Sequence, residues 1–193
     1  MAKGGELQHV EVRCRADLRE WLAENHGQGS SVWLVTFKKH CADYLPFGEV
    51  VEELICWGWV DSAVRTVDAD RTKHLISPRS PSSAWSAVNK EKAEKARASG
   101  AMTDAGEKAI ELARSNGMWE FLDDVDRLEV PGDLAAALSS TGATGAWNAW
   151  PRSVKRSALE WIKTANRAST RAARVDDVVE SAVRGLRPAP FRR

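Results

Sequence analysis

Beyond Ser82 the apolar residues recur at three- and four-residue intervals, a change of period that confines any β-sheet to roughly the first eighty residues. Trp85, Val88 and Ala96 trace one face of a helix closed by Ser99-Gly100. Asp104 and Glu107 have capping-box spacing for a helix through Ala109, Leu112 and Ala113 that stops at Asn116-Gly117. Asp133 precedes a short segment with Leu134 and Leu138. Val154, Ala158, Trp161, Ile162 and Ala165 keep a helical period after Pro151, and Val175, Val178, Val179, Ala182 and Val183 repeat it before Gly185. Asp123 to Glu129 reads as an acidic solvated loop, because its carboxylate spacing fails the EF-hand pattern.

Upstream the punctuation differs. Leu18, Trp21 and Leu22 mark a short amphipathic helix ahead of Gly27, and Val32 to Phe37 is a β-rich run of strand length. Pro46 opens a helix with Phe47, Val50, Val51, Leu54 and Ile55 on its apolar side and Gly58 as its closing glycine. Ala63 to Val67 and Lys73 to Ile76 flank Asp68-Ala69-Asp70-Arg71, which suits a hairpin turn. Together these runs predict an α+β fold. A small antiparallel sheet with helices occupies the N-terminal half, 1–100, and an all-helical C-terminal half follows, 101–185. A mobile tail, 186–193, completes a single compact domain, 1–193.

Bulk composition excludes some partners and hides others. With 28 basic and 27 acidic residues the net charge is +1, which is not the overall basic excess of a phosphate-binding domain. By segment, however, residues 41–70 carry −6, 71–100 carry +5, 101–150 carry −6 and 151–193 carry +7. Either the blocks neutralise each other, or the two basic segments share a face that binds an anion or nucleic acid. Cys14, Cys41 and Cys56 are odd in number without a Cys-x-x-Cys spacing, and His9, His26 and His40 match no metal pattern, so no metal or other cofactor is expected. Met1 to Glu6 lead into no apolar stretch and no run is long enough to span a membrane, which predicts a cytoplasmic protein.

The densest polar constellation runs from Asp61 to Asn89. Asp61, Arg71, His74, Arg79, Ser83, Trp85 and Asn89 are its candidate ligand-binding residues, with Ser82 and Ser83 placed to cap the following helix. A serine-rich turn entering a helix, flanked by Arg, can hold a carboxylate or phosphate. It is not a P-loop, since the required glycines and the terminal Gly-Lys-Ser/Thr are missing. The bland alternative is that the serines cap and Arg79 pairs with an acidic neighbour. Trp57 and Trp59 around Gly58, and Trp147 with Trp150, fit core packing better than a ligand wall.

Gly58-Trp59-Val60-Asp61, then Pro78-Arg79-Ser80-Pro81-Ser82-Ser83-Ala84-Trp85-Ser86-Ala87-Val88-Asn89, then Gly100-Ala101-Met102 with Gly106, then Thr170-Arg171-Ala172-Ala173-Arg174-Val175, resemble the bacterial YdeI/OmpD-associated or bacteriocin-protection family. The likeness runs from the Trp21-Leu22 helix to the last helix. Ser62 stands where many members have Gly, and Ser80 where many have a second Arg, which makes the pocket less cationic. The resemblance implies a small cytosolic protein linked to tolerance of bacteriocins, antimicrobial peptides or envelope stress, with no agreed catalytic residues. The expected function is accordingly a non-enzymatic stress-tolerance protein that binds a protein partner or small anion. Two alternatives stand beside it: a nucleic-acid-binding protein using segments 71–100 and 151–193, and a hydrolase or transferase using His74 and Asp61.

Overall fold

The computed structural model describes residues 7–192. In chain order these form β1 (His9–Glu11), α1 (Arg15–Asn25), β2 (Val32–Phe37), α2 (Phe47–Cys56), β3 (Trp59–Thr66), β4 (Arg71–Pro78), α3 (Ala87–Ala98) and α4 (Asp104–Ser115). There follow α5 (Asp123–Asp126), α6 (Gly132–Ser140), α7 (Thr144–Ala149), α8 (Arg152–Lys163), α9 (Ala168–Val183) and a 3-10 turn at Ala189–Phe191. The fold is α+β. The chain divides into two compact units, Met1–Phe121 and Leu122–Arg193.

The sheet has four strands in the order β1-β2-β4-β3. It is mixed rather than antiparallel, because β1 lies parallel to β2 while β4 runs antiparallel to both β2 and β3. β1 escapes sequence reading because its three residues carry one apolar side chain, Val10. Leu34 stands opposite His74, and His74 opposite Val64, so strand alternation directs this row to one face. The β3 register shifts by one residue between Asp61 and Val64, a bulge that bends β3 beside the site described below.

Val10, Val32, Leu34 and Ile76 meet Leu18 and Leu22 of α1 and Val50 and Leu54 of α2 in one apolar core. A second core joins Ile55 of α2, Ala93 of α3, and Ile110 and Ala113 of α4 around Trp85. Helix α2 thus serves two cores. Its close approach to α4 depends on Gly106, where an added Cβ would collide with the Cys56 carbonyl. The same carbonyl accepts from the Thr103 hydroxyl at 2.6 Å. Thr103, rather than the Asp104–Glu107 pair, caps α4, its hydroxyl oxygen accepting from the Gly106 N–H. Likewise α3 begins after Trp85, with Ser86 as its cap in place of Ser82 or Ser83, and Val88 on it is exposed.

Helix α4 belongs to the first unit, so the all-helical stretch that begins after Gly100 is shared between the units. In the second unit, Leu134 and Leu138 of α6 and Trp147 of α7 are buried, as are Ala158 and Ile162 of α8 and Val175, Val178 and Ala182 of α9. The acidic segment folds into α5, where Asp126 and Asp124 pair with Arg156 and Lys163 of α8 at 2.7 and 2.6 Å. The described part of the expected mobile tail is tied back to α9: the Ala189 N–H donates to Asp177 at 2.9 Å and Arg192 donates to Ser181 at 3.0 Å. Arg193 and Met1 to Glu6 lie outside the described residues.

Candidate functional site

Gly58 ends α2 with φ +71°, a conformation that leaves most side chains strained, and its carbonyl accepts from the Arg79 N–H at 2.9 Å. One backbone bond therefore brings together the two motifs that stand furthest out in the sequence. Beyond it the chain turns, the Ser83 N–H donating to the Ser80 carbonyl at 2.9 Å, and the Asn116 side chain beyond α4 holds the turn through the Pro81 carbonyl at 2.8 Å.

This turn lays the Arg79 guanidinium over the Trp85 indole, 4.0 Å from its ring centre. Arg79 Nη1 donates to the Ala84 carbonyl at 3.2 Å, while its buried Nε finds no acceptor. Trp85 is wholly buried, its backbone N–H donating to the Met118 carbonyl at 3.1 Å and its ring packing on Trp119 with centroids 5.0 Å apart. The Trp85 indole N–H also finds no acceptor. Buried donors are nearly always paired, and leaving one unpaired costs about 1–3 kcal/mol. A cleft of about 10 Å³ opens here between Arg79, Pro81, Ser83 and Trp85 on one side and Ala109 and Leu112 of α4 on the other.

Electrostatics also single out Arg79. Burial pulls the Arg79 guanidinium down to about 10, and the negative charge of Asp61 opposes this only in part. Among the described residues Arg79 makes no ion pair, although other cations of the first unit do. Asp61 also acts on His74, whose imidazole is lowered by burial and stacks on Phe47 with centroids 4.4 Å apart. Burial raises the Cys56 thiol above its ordinary value, which keeps it an unreactive thiol in the core.

Of the sequence candidates, Arg79, Trp85 and Ser83 converge on the cleft, with Asp61 acting on Arg79 through its charge. His74 packs on Phe47 and belongs to the neighbouring part of β4. Arg71 lies at the far end of β4, where it pairs with Asp68 at 2.7 Å and Glu11 at 2.8 Å. Asn89 gives its backbone N–H to the Ser86 cap. Trp119 escaped sequence reading, and the nearby Arg114 and Lys90 lie 4.9 and 5.5 Å from its ring centre. A lone Trp after Gly117 offers no periodic signal.

Much of the cation in the two basic segments is already matched. Lys92 and Lys95 meet Glu52 at 3.2 and 3.0 Å, and Arg97 meets Glu107 at 2.6 Å. Arg171 meets Asp133 at 2.7 Å and Arg184 meets Glu180 at 2.6 Å.

Residues 10–109 match the family model described as Domain of unknown function (DUF8412), which spans just over half of the chain. The chain belongs to the DUF8412 family. Residues 127–185 match a second model, described as Bacteriocin-protection, YdeI or OmpD-Associated. That segment, which holds the Thr170 to Val175 motif, is thus similar to the YdeI/OmpD-associated family. The Gly58 and Pro78 motifs, with Arg79 and Trp85, lie inside the DUF8412 match. Comparisons with curated proteins and with solved structures find no match. No helix among the described residues is long and apolar enough to cross a membrane.

Proposed function

We propose that this DUF8412 protein is a bacteriocin-protection-like stress-tolerance protein that works by binding, and that its ligand is a small anion whose carboxylate or phosphate oxygen sits between Arg79 and Trp85. The observation that carries this reading is the pair of adjoining buried donors without acceptors, one of them on a cation without a counter-ion. An oxyanion oxygen would accept from both and neutralise the charge, and charge-assisted bonds of this kind are about twice as strong as neutral ones. The cleft as it stands has room for about one water, so the ligand enters by displacing that volume and opening the Pro81–Ser83 turn. The nucleic-acid alternative is less well supported, because many of its cations are held by neighbouring carboxylates.

Isothermal titration with phosphate, acetate, nucleotides and short oligonucleotides tests the reading. Heat is expected from at least one small anion, with loss of binding in Arg79→Met and a downfield move of the Trp85 indole proton resonance in the wild type. No heat from any of these ligands, or undiminished binding in Arg79→Met, overturns it. Heat from oligonucleotides alone, falling steeply with salt, would favour the nucleic-acid alternative.

A further inference from the structure

At the opposite end of the sheet, the geometry points to a binding site for a divalent transition metal of the zinc class, held by His40, Cys41 and Asp70. One ligand atom from each of the three side chains can be chosen so that all lie within 4.8 Å of one another. They come from two loops: His40 and Cys41 follow β2, and Asp70 sits in the β3–β4 turn.

The two loops are joined by the sheet itself. Phe37 stands opposite Arg71 at the end of the β2–β4 ladder, and the next residue continues the pairing, the Lys38 N–H donating to the Asp70 carbonyl at 2.7 Å. The Cys41 N–H donates back to the Lys38 carbonyl at 2.9 Å, closing a turn that directs His40 and Cys41 toward the hairpin. Cys41 Sγ lies 3.7 Å from the Asp70 carbonyl oxygen. In the β3–β4 turn, the Asp68 carboxylate is taken up by Arg71 and by two backbone N–H groups. The Asp70 carboxylate faces His40 instead, with its Oδ1 3.0 Å from Nε2.

The donor set suits a borderline metal. Imidazole nitrogen, thiolate sulfur and carboxylate oxygen together favour zinc, cobalt, nickel or copper over the hard, oxygen-preferring magnesium and calcium. Bonds of about 2.0–2.3 Å in a tetrahedral shell put ligand atoms roughly 3.3–3.8 Å apart, so small side-chain rotations close the 4.8 Å arrangement. Three protein donors leave a fourth position for water. His40 and Asp70 are largely exposed, which gives the ion a path in. Binding converts the Cys41 thiol to a metal thiolate and releases its proton to solvent, so affinity rises with pH. Adjacent His and Cys match no metal motif, and the third ligand stands 29 residues further on, which is why sequence spacing conceals the set.

Cobalt(II) titration of the reduced full chain provides the test, because a thiolate ligand gives cobalt an intense near-ultraviolet charge-transfer band. The expected result is one cobalt per chain with that band, displaced by zinc. Cys41→Ser abolishes the band. His40→Ala and Asp70→Asn each weaken zinc binding by at least the about 10–100-fold that loss of even a supporting partner costs. Cys14→Ser, altering the exposed cysteine at the N-cap of α1, leaves the band unchanged. No band in the wild type overturns the assignment, as does a band that survives Cys41→Ser or disappears in Cys14→Ser. Far-UV circular dichroism confirms that each variant is folded, as expected for changes at a solvent-facing edge.

Discussion

His74 sits in β4 with its ring nearly parallel to that of Phe47, 20° between planes, and burial outweighs the pull of Asp61 to lower its pKa. A lowered value in the folded state means that the unfolded chain takes up a proton that the folded chain resists. The contribution of His74 to stability is therefore full above its ordinary value of 6.5 and is lost progressively as pH falls from there toward the folded value. We expect the urea midpoint to fall between about pH 7.5 and about pH 5, and the fall to be smaller in His74→Phe, which keeps an aromatic ring against Phe47 but cannot be protonated. Parallel midpoints in the two proteins across that range would show that His74 does not couple folding to pH. Arg79 shows the same physics with the same positive charge at stake. Burial disfavours its guanidinium, and without an ion pair it retains that cost unless a ligand relieves it.

Between elements, a concentrated polar contact joins α1 to α2. Glu53 is fully buried on α2 and accepts from Arg15 Nε at 2.9 Å and Arg19 Nη1 at 2.6 Å, both on α1, and from the Trp57 indole at 3.2 Å. Removing one partner of a buried pair usually costs about 3–5 kcal/mol, because the others are left uncompensated. The arginines here reach solvent over more than a third of their side chains, so Glu53→Gln is expected to fall short of that range, at about 2–3 kcal/mol by chemical denaturation. A loss under about 0.5 kcal/mol would place Glu53 among ordinary surface pairs. The sequence showed little of this contact, since its arginines lie 38 and 34 residues from Glu53, and spacing along a chain says nothing of such pairs. What it did show were elements with their own period: α1, β2, α2, the β3–β4 hairpin, α8 and α9. β1 and α7 have too few apolar residues to declare a period, and they were missed. At the candidate site, Arg79 and Trp85 were legible as a motif. Arg71 looks equally cationic in sequence, and only strand register reveals that it stands at the other end of β4 beside Glu11. The missing acceptors depend on what Met118, Trp119 and α4 place around Trp85, which no local pattern encodes.

Over the whole chain, the family matches follow the division into two units. The DUF8412 match, 10–109, lies within Met1–Phe121, and the bacteriocin-protection match, 127–185, lies within Leu122–Arg193. The −6 block at 41–70 supplies Glu52 and Glu53, which meet cations of the first unit. Asp126, Asp124 and Asp133 likewise meet Arg156, Lys163 and Arg171 of the second. Each unit therefore carries an apolar interior and ion pairs of its own, which is the condition for folding alone. The first unit also contains Arg79, Trp85 and the three proposed metal ligands. We expect residues 1–121 produced alone to unfold cooperatively and to give a dispersed amide spectrum whose β2–β4 peaks overlay those of the full chain. Anion binding should persist in that fragment and be absent from residues 122–193. A collapsed spectrum for 1–121 would mean that its two cores, around Leu34 and around Trp85, require the second unit to form.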